Sequence, residues 1–191
     1  MDTLFKTQAY RILELFIEQS NTDFSARGIA RELGISHPTA LKNLRELEKL
    51  GLIGKNERTL YPTYRANTVG ENYMSYKREH IVFSIRKSGL VEHIQERLLP
   101  SCIVLFGSCA KGAYREDSDI DLFVEASESD LDLSAFEKKL RKNVHILFER
   151  DITMLSPELR SNILNGVVVY GFVKVDKRRD DGRPDDLGEM P

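Results

Sequence analysis

The chain has 191 residues, 41% of them hydrophobic, with a formal net charge of -2. This length accommodates one large or two small domains with real cores, and the longest apolar runs, Ile103 to Phe106 and Val167 to Tyr170, are far too short to cross a bilayer. The near-neutral balance excludes a generic polyanion binder. No signal peptide is visible at the amino terminus, so a cytoplasmic protein without a membrane partner is expected. Cys102 and Cys109 are expected to be ordinary reduced thiols.

Charge is unevenly spread. Residues 1–67 carry 10 Lys and Arg against 8 Asp and Glu, whereas residues 100–191 carry 13 against 18. A slightly basic front and an acidic back imply two parts with different partners.

Helical spacing of Leu4, Phe5, Ala9, Ile12, Leu13, Leu15, Phe16 and Ile17 predicts a first helix from about Thr3 to Gln19. Ser25 is a candidate N-cap for a short second helix that Gly34 stops, and Ser36 caps a third that Gly51 closes. Leu41, Leu44, Leu47 and Leu50 are expected to face the core from this third helix. Its remaining face presents His37, Thr39, Lys42, Asn43 and Glu46, which can exchange hydrogen bonds with base edges or phosphates. The polar tip Lys55 to Arg58 and the alternating run Thr59 to Arg65 then read as a hairpin, whose tip suits contact with a nucleic-acid backbone or minor groove.

The stretch from Ser25 to Ile53, SARGIARELGISHPTALKNLRELEKLGLI, resembles the winged helix-turn-helix domain of many small bacterial and archaeal transcription regulators, over roughly residues 4–66. The resemblance implies that the helix from Ser36 to Leu50 is a recognition helix for double-stranded DNA. His37, Thr39, Lys42, Asn43, Lys55 and Arg58 are the candidate DNA-binding residues. The competing reading is a helical domain with solvated faces, used for protein contacts or dimerisation. Two further helical segments, Val69 to Arg86 and Leu90 to Leu99, connect front and back and are also candidates for packing a homodimer.

The back half carries the chemistry. After a predicted buried strand, residues 107–121 read GSCAKGAYREDSDID, a G-S-x10-D-x-D pattern. Gly107 allows backbone to approach a phosphate, and N–H groups at a helix start supply a positive field. Ser108 adds a hydroxyl donor, and Lys111 and Arg115 are candidates to neutralise further phosphate charge. Strand periodicity sends Asp119 and Asp121 to one face. Two such carboxylates raise each other's proton affinity unless a cation lies between them, and their hard oxygens suit Mg2+ or Mn2+ carrying a nucleoside triphosphate.

These residues resemble the minimal nucleotidyltransferase group of the DNA polymerase beta superfamily. Phe106-Gly-Ser, Ala110, Gly112, Arg115 and Asp117-Ser-Asp-Ile-Asp-Leu carry the likeness, as does the later run Leu159 to Tyr170, over about residues 100–172. The resemblance implies that Asp119 and Asp121 are catalytic and bind metal, and that Gly107, Ser108, Lys111 and Arg115 hold the nucleotide. Small members of this group often act as antitoxins that transfer AMP to a partner toxin, so a toxin-like protein is an implied partner. Two departures stand out. His145 occupies the place of the family's third acidic residue, where it is either a metal ligand or a polar side chain on the open strand face. Glu149 replaces the missing acid only if the strand pairing shifts. Cys109 stands where many members carry a basic residue, a loss that Lys111 is placed to offset.

The expected fold is α+β: a winged helix-turn-helix over residues 1–67, connecting helices over 68–99 and a nucleotidyltransferase-like mixed sheet with helices over 100–176. A charged tail, 177–191, buries too little apolar surface to order itself. Two functions are in competition: a DNA-binding nucleotidyltransferase, and a non-enzymatic transcription regulator whose degenerate transferase domain binds nucleotide or a partner.

Overall fold

The computed structural model describes residues 7–57 and 61–175. The predicted tail and the hairpin-tip residue Arg58 lie outside the described residues.

Three helices open the chain. Helix α1 spans Gln8–Glu18, with Thr7 as its N-cap, and buries Ile12, Leu13, Leu15, Phe16 and Ile17. After a two-residue strand, β1 (Phe24–Ser25), the Ser25 hydroxyl accepts from Gly28 N and starts α2, Ala26–Leu33. Gly34 ends α2 in the left-handed conformation that a side chain would resist. Helix α3 spans His37–Lys49, capped by Ser36, and buries Ala40, Leu44 and Leu47.

The expected leucine face of α3 is corrected at its ends. Leu41 is only partly buried and Leu50 is 44% exposed. A strict three-residue repeat turns about 60° around a 3.6-residue helix at each step, so four leucines cannot share one face. Ala40 takes the inner place instead. Strands β2 (Ile53–Asn56) and β3 (Thr63–Ala66) pair antiparallel, and β1 joins β3 to complete a three-stranded sheet.

Helix α4, Glu71–Ser88, serves both ends of the molecule. Tyr73 is buried in the front core and its hydroxyl donates to Phe16 O at 2.8 Å, whereas Ile81, Val82 and Ile85 belong to the core beneath the second sheet. Gly89, at φ 85°, turns the chain into α5, Leu90–Leu98.

The second sheet holds β4 (Cys102–Phe106), β5 (Ile120–Glu125), β6 (Val144–Glu149) and β7 (Val167–Gly171) in the order β6-β5-β4-β7. Strand β5 runs parallel to β6, and the other pairs are antiparallel. One face packs Ile103, Leu105, Leu122 and Val124 against α4, α5 and the side chains Leu133, Phe136 and Leu140 in and just before α7 (Ser134–Leu140). The other face packs Cys102, Val104 and Phe123 against Ile152 and against Ile163 of α8, Pro157–Leu164. Both cysteines are buried, and neither is in a disulfide. No helix among the described residues is long and apolar enough to cross a membrane.

Candidate functional site

The site lies where β4 ends and β5 begins. Phe106, the last residue of β4, pairs with Asp121, and the chain then turns through Gly107 at φ 71° into α6, Gly107–Ala110. A Cβ at Gly107 would lie 2.5 Å from Asp121 Oδ2, so the glycine backbone is pressed directly against that carboxylate. Only glycine fits both the positive φ and the contact. Because α6 is a single turn of four residues, the field at its start comes from a few N–H groups and not from an extended macrodipole.

Asp119 precedes β5 and Asp121 lies within it, two residues apart on the face that Phe123 also occupies. Asn143 Nδ2 donates to Asp119 Oδ1 at 2.9 Å. The parallel register sets His145 opposite Asp121, and His145 Nδ1 lies 3.8 Å from Asp119 Oδ2, too far for a hydrogen bond. Burial holds the Asp121 carboxyl above the usual carboxylate range, with His145 opposing the shift and Asp119 adding to it. Glu149 pairs with Glu125 at the opposite end of the strands, so no register shift brings it to the aspartates.

Tyr114, just beyond the small-residue loop, is anchored by two lysines. Lys77 on α4, itself buried, donates to Tyr114 O at 2.7 Å, while the Tyr114 hydroxyl returns a bond to Lys77 O. The ammonium groups of Lys77 and Lys142 lie 4.4 and 5.1 Å from the Tyr114 ring centroid, a distance at which each cation is drawn to the ring. Burial, with Lys142 adding to it, pushes the Lys77 ammonium down. Gly112 completes the seam, since a Cβ there would lie 2.0 Å from Met74 O of α4.

Gly107, Asp119, Asp121 and His145 are thus brought together. Ser108 follows Gly107 in a half-buried position, and Lys111 is exposed at the end of α6. Arg115 lines a cleft of about 810 Å3 shared with α1, α4 and α7, whereas Asp119 and Asn143 line a smaller cavity of about 310 Å3. Cys109 is fully buried, donates its thiol to Asp119 O at 3.3 Å and is raised by burial to about 11, so it works as packing.

The residues expected to read DNA lie along α3 and the following hairpin. His37 and Lys42 are exposed, but Thr39 is hydrogen-bonded to the Ser36 hydroxyl and Asn43 donates to Thr39 O. Lys55 is paired with Glu57. Two of the four helix side chains are therefore engaged within their own helix.

Among the described residues no group of three or more His, Cys, Asp or Glu side chains is gathered in a way that can hold a metal ion. The donor set is two carboxylates. That set suits Mg2+, which is commonly held by one or two carboxylates while phosphate and water complete its shell. His145 adds a nitrogen beside these oxygens and no fixed negative charge.

Sequence reasoning missed Asn143, Lys142, Lys77 and Tyr114. Tyr114 stands inside the 107–121 motif, next to Arg115, and Asn143 stands two residues before the singled-out His145. No curated protein matches the chain. Residues 87–170, the span that holds every member of the aspartate site, match the family model of the nucleotidyltransferase domain.

Proposed function

We propose that this protein transfers a nucleotidyl group, AMP-like, from a nucleoside triphosphate to a protein or other acceptor, breaking the α–β phosphoanhydride bond and releasing pyrophosphate, and that its front helices address it to double-stranded DNA. The observation that carries the reading is the contact between Gly107 backbone and the Asp121 carboxylate, with Asp119 on the same face. Phosphate oxygens approaching Gly107 and Ser108 would then lie beside both carboxylates. Mg2+ or Mn2+, held by Asp119 and Asp121, would supply charge neutralisation at the reacting phosphorus. The chain's own part is placement. Gly107 lets its backbone close on the Asp121 carboxylate, Ser108 offers a hydroxyl donor, and the lysine-anchored Tyr114 stiffens the loop leading to Asp119.

Incubation with Mg2+ or Mn2+, labelled nucleoside triphosphates and candidate acceptors, a toxin-like partner protein included, tests this. Label is expected on an acceptor with wild type and not with the Asp119→Asn, Asp121→Asn double variant. Equal labelling by both ends the enzyme reading.

His145 opposite Asp121 favours a second reading, in which the domain binds nucleotide without transferring it and biases the front helices on DNA. DNA affinity then changes on adding nucleotide and metal while no covalent product forms. Mobility shift with and without nucleotide separates the two.

A further inference from the structure

The residues that prepare Asp119 come from the turn between α7 and β6. Lys142 Nζ donates to the carbonyls of Arg115, Glu116 and Ser118 at 2.9, 2.9 and 3.0 Å. Ile120 N donates to Asn143 O at 2.9 Å. The backbone is thereby fixed on both sides of Asp119 by two consecutive residues, Lys142 and Asn143. Within the loop, Arg115 N donates to the Ser118 hydroxyl at 2.8 Å, which closes it further.

Asn143 also grips the side chain. Its amide nitrogen faces Asp119 Oδ1 at 2.9 Å, and an ionised carboxylate is acceptor-only, so the amide orientation is decided. One oxygen of Asp119 is committed to the bond and the other, Oδ2, is turned toward His145 and the open strand face. A carboxylate held at one oxygen is not free to rotate, and ligand oxygens held by an outer partner bind metal better than loose ones.

We propose that Asn143 is a positioning residue that presents Asp119 Oδ2 to the divalent cation, standing in for part of the order that a third carboxylate would impose. The inference rests on the metal-dependent reading above. Asn143 touches neither nucleotide nor acceptor in this role. It acts through Asp119, and Lys142 holds the backbone on which that aspartate is mounted.

The test is titration of the full-length protein with Mn2+, followed by electron paramagnetic resonance, in the presence of a non-hydrolysable ATP analogue. Wild type is compared with Asn143→Ala, the near-isosteric Asn143→Leu, and Asp119→Asn. Both Asn143 variants are expected to weaken Mn2+ binding about 10- to 100-fold while the melting temperature stays near that of wild type, because Asn143 is exposed. In the transfer assay, the metal concentration for half-maximal rate rises by a similar factor, and kcat falls less. Wild-type Mn2+ affinity in both Asn143 variants, with weakened binding in Asp119→Asn, overturns the role of Asn143 and leaves the metal-dependent reading standing. Failure of wild type itself to bind Mn2+ overturns both.

Discussion

His145 stands directly opposite Asp121 in the parallel pairing of β5 and β6, with its Nδ1 3.8 Å from Asp119 Oδ2. A side chain at this position is already aimed at the carboxylate pair. The substitution His145→Asp therefore places a third carboxylate beside the two. The expected outcome is tighter Mg2+ activation, by about 10-fold or more in the half-maximal metal concentration, each tenfold being about 1.4 kcal/mol. A metal titration of the transfer rate checks it, and an unchanged or weaker response shows that a carboxylate at this position adds nothing to metal binding.

Gly107→Ala should damage the site more than the fold. The added methyl meets Asp121 Oδ2, the end of a short side chain that can swing aside, while the positive φ costs roughly 1–3 kcal/mol. Urea denaturation is expected to show a loss in that range. Metal affinity should fall as well, because the displaced group is the carboxylate itself. An unaltered metal response would show that the Asp121 position is not set by Gly107.

Cys109 is expected to be inert in the native protein. With the thiol raised to about 11 by burial, the thiolate fraction at pH 8 is about a thousandth. A disulfide reagent should therefore modify neither Cys102 nor Cys109 until denaturant is added, since both are fully buried. Rapid native reaction of either thiol would contradict the packing.

His80 gives stability a pH dependence. Burial holds its imidazole below the ordinary value of 6.5, so the unfolded chain takes up the proton first as pH falls. The His80 contribution is present above about 6.5 and is lost as pH falls from there through the lower folded value. Its Nδ1 is hydrogen-bonded to the Tyr10 hydroxyl at 2.8 Å, a contact between α1 and α4. Denaturation midpoints of His80→Gln are expected to fall less than those of wild type between pH 7 and pH 5. Parallel curves would remove His80 as the cause.

Local signals were legible in the sequence, and non-local ones were not. Ser25 and Ser36 announced their helices because an N-cap acts within three residues. Gly107, Asp119 and Asp121 were readable because they fall within one 15-residue motif that connects two adjacent, antiparallel strands. The leucine face of α3 failed at Leu50 because spacing alone ignores the precession of a three-residue repeat. Asn143 and Lys142 stayed hidden because their function depends on the β5–β6 pairing, and an asparagine and a lysine before a strand are chemically ordinary. Lys77 lies 37 residues from the carbonyl it binds, a separation that no motif records.

Helix α4 begins among the front residues and ends among those of the second sheet, contributing Tyr73 to one core and Ile81, Val82 and Ile85 to the other. The family match starts at residue 87, at the far end of this helix. A fragment cut to the matched span would lose the buried lysine beneath Tyr114 and the backbone against which Gly112 is seated. It would also bare an apolar strip on the sheet. The smallest excisable unit around the aspartate site is therefore one that keeps α4, and melting of either end is expected to be felt at the other along a single shared rod.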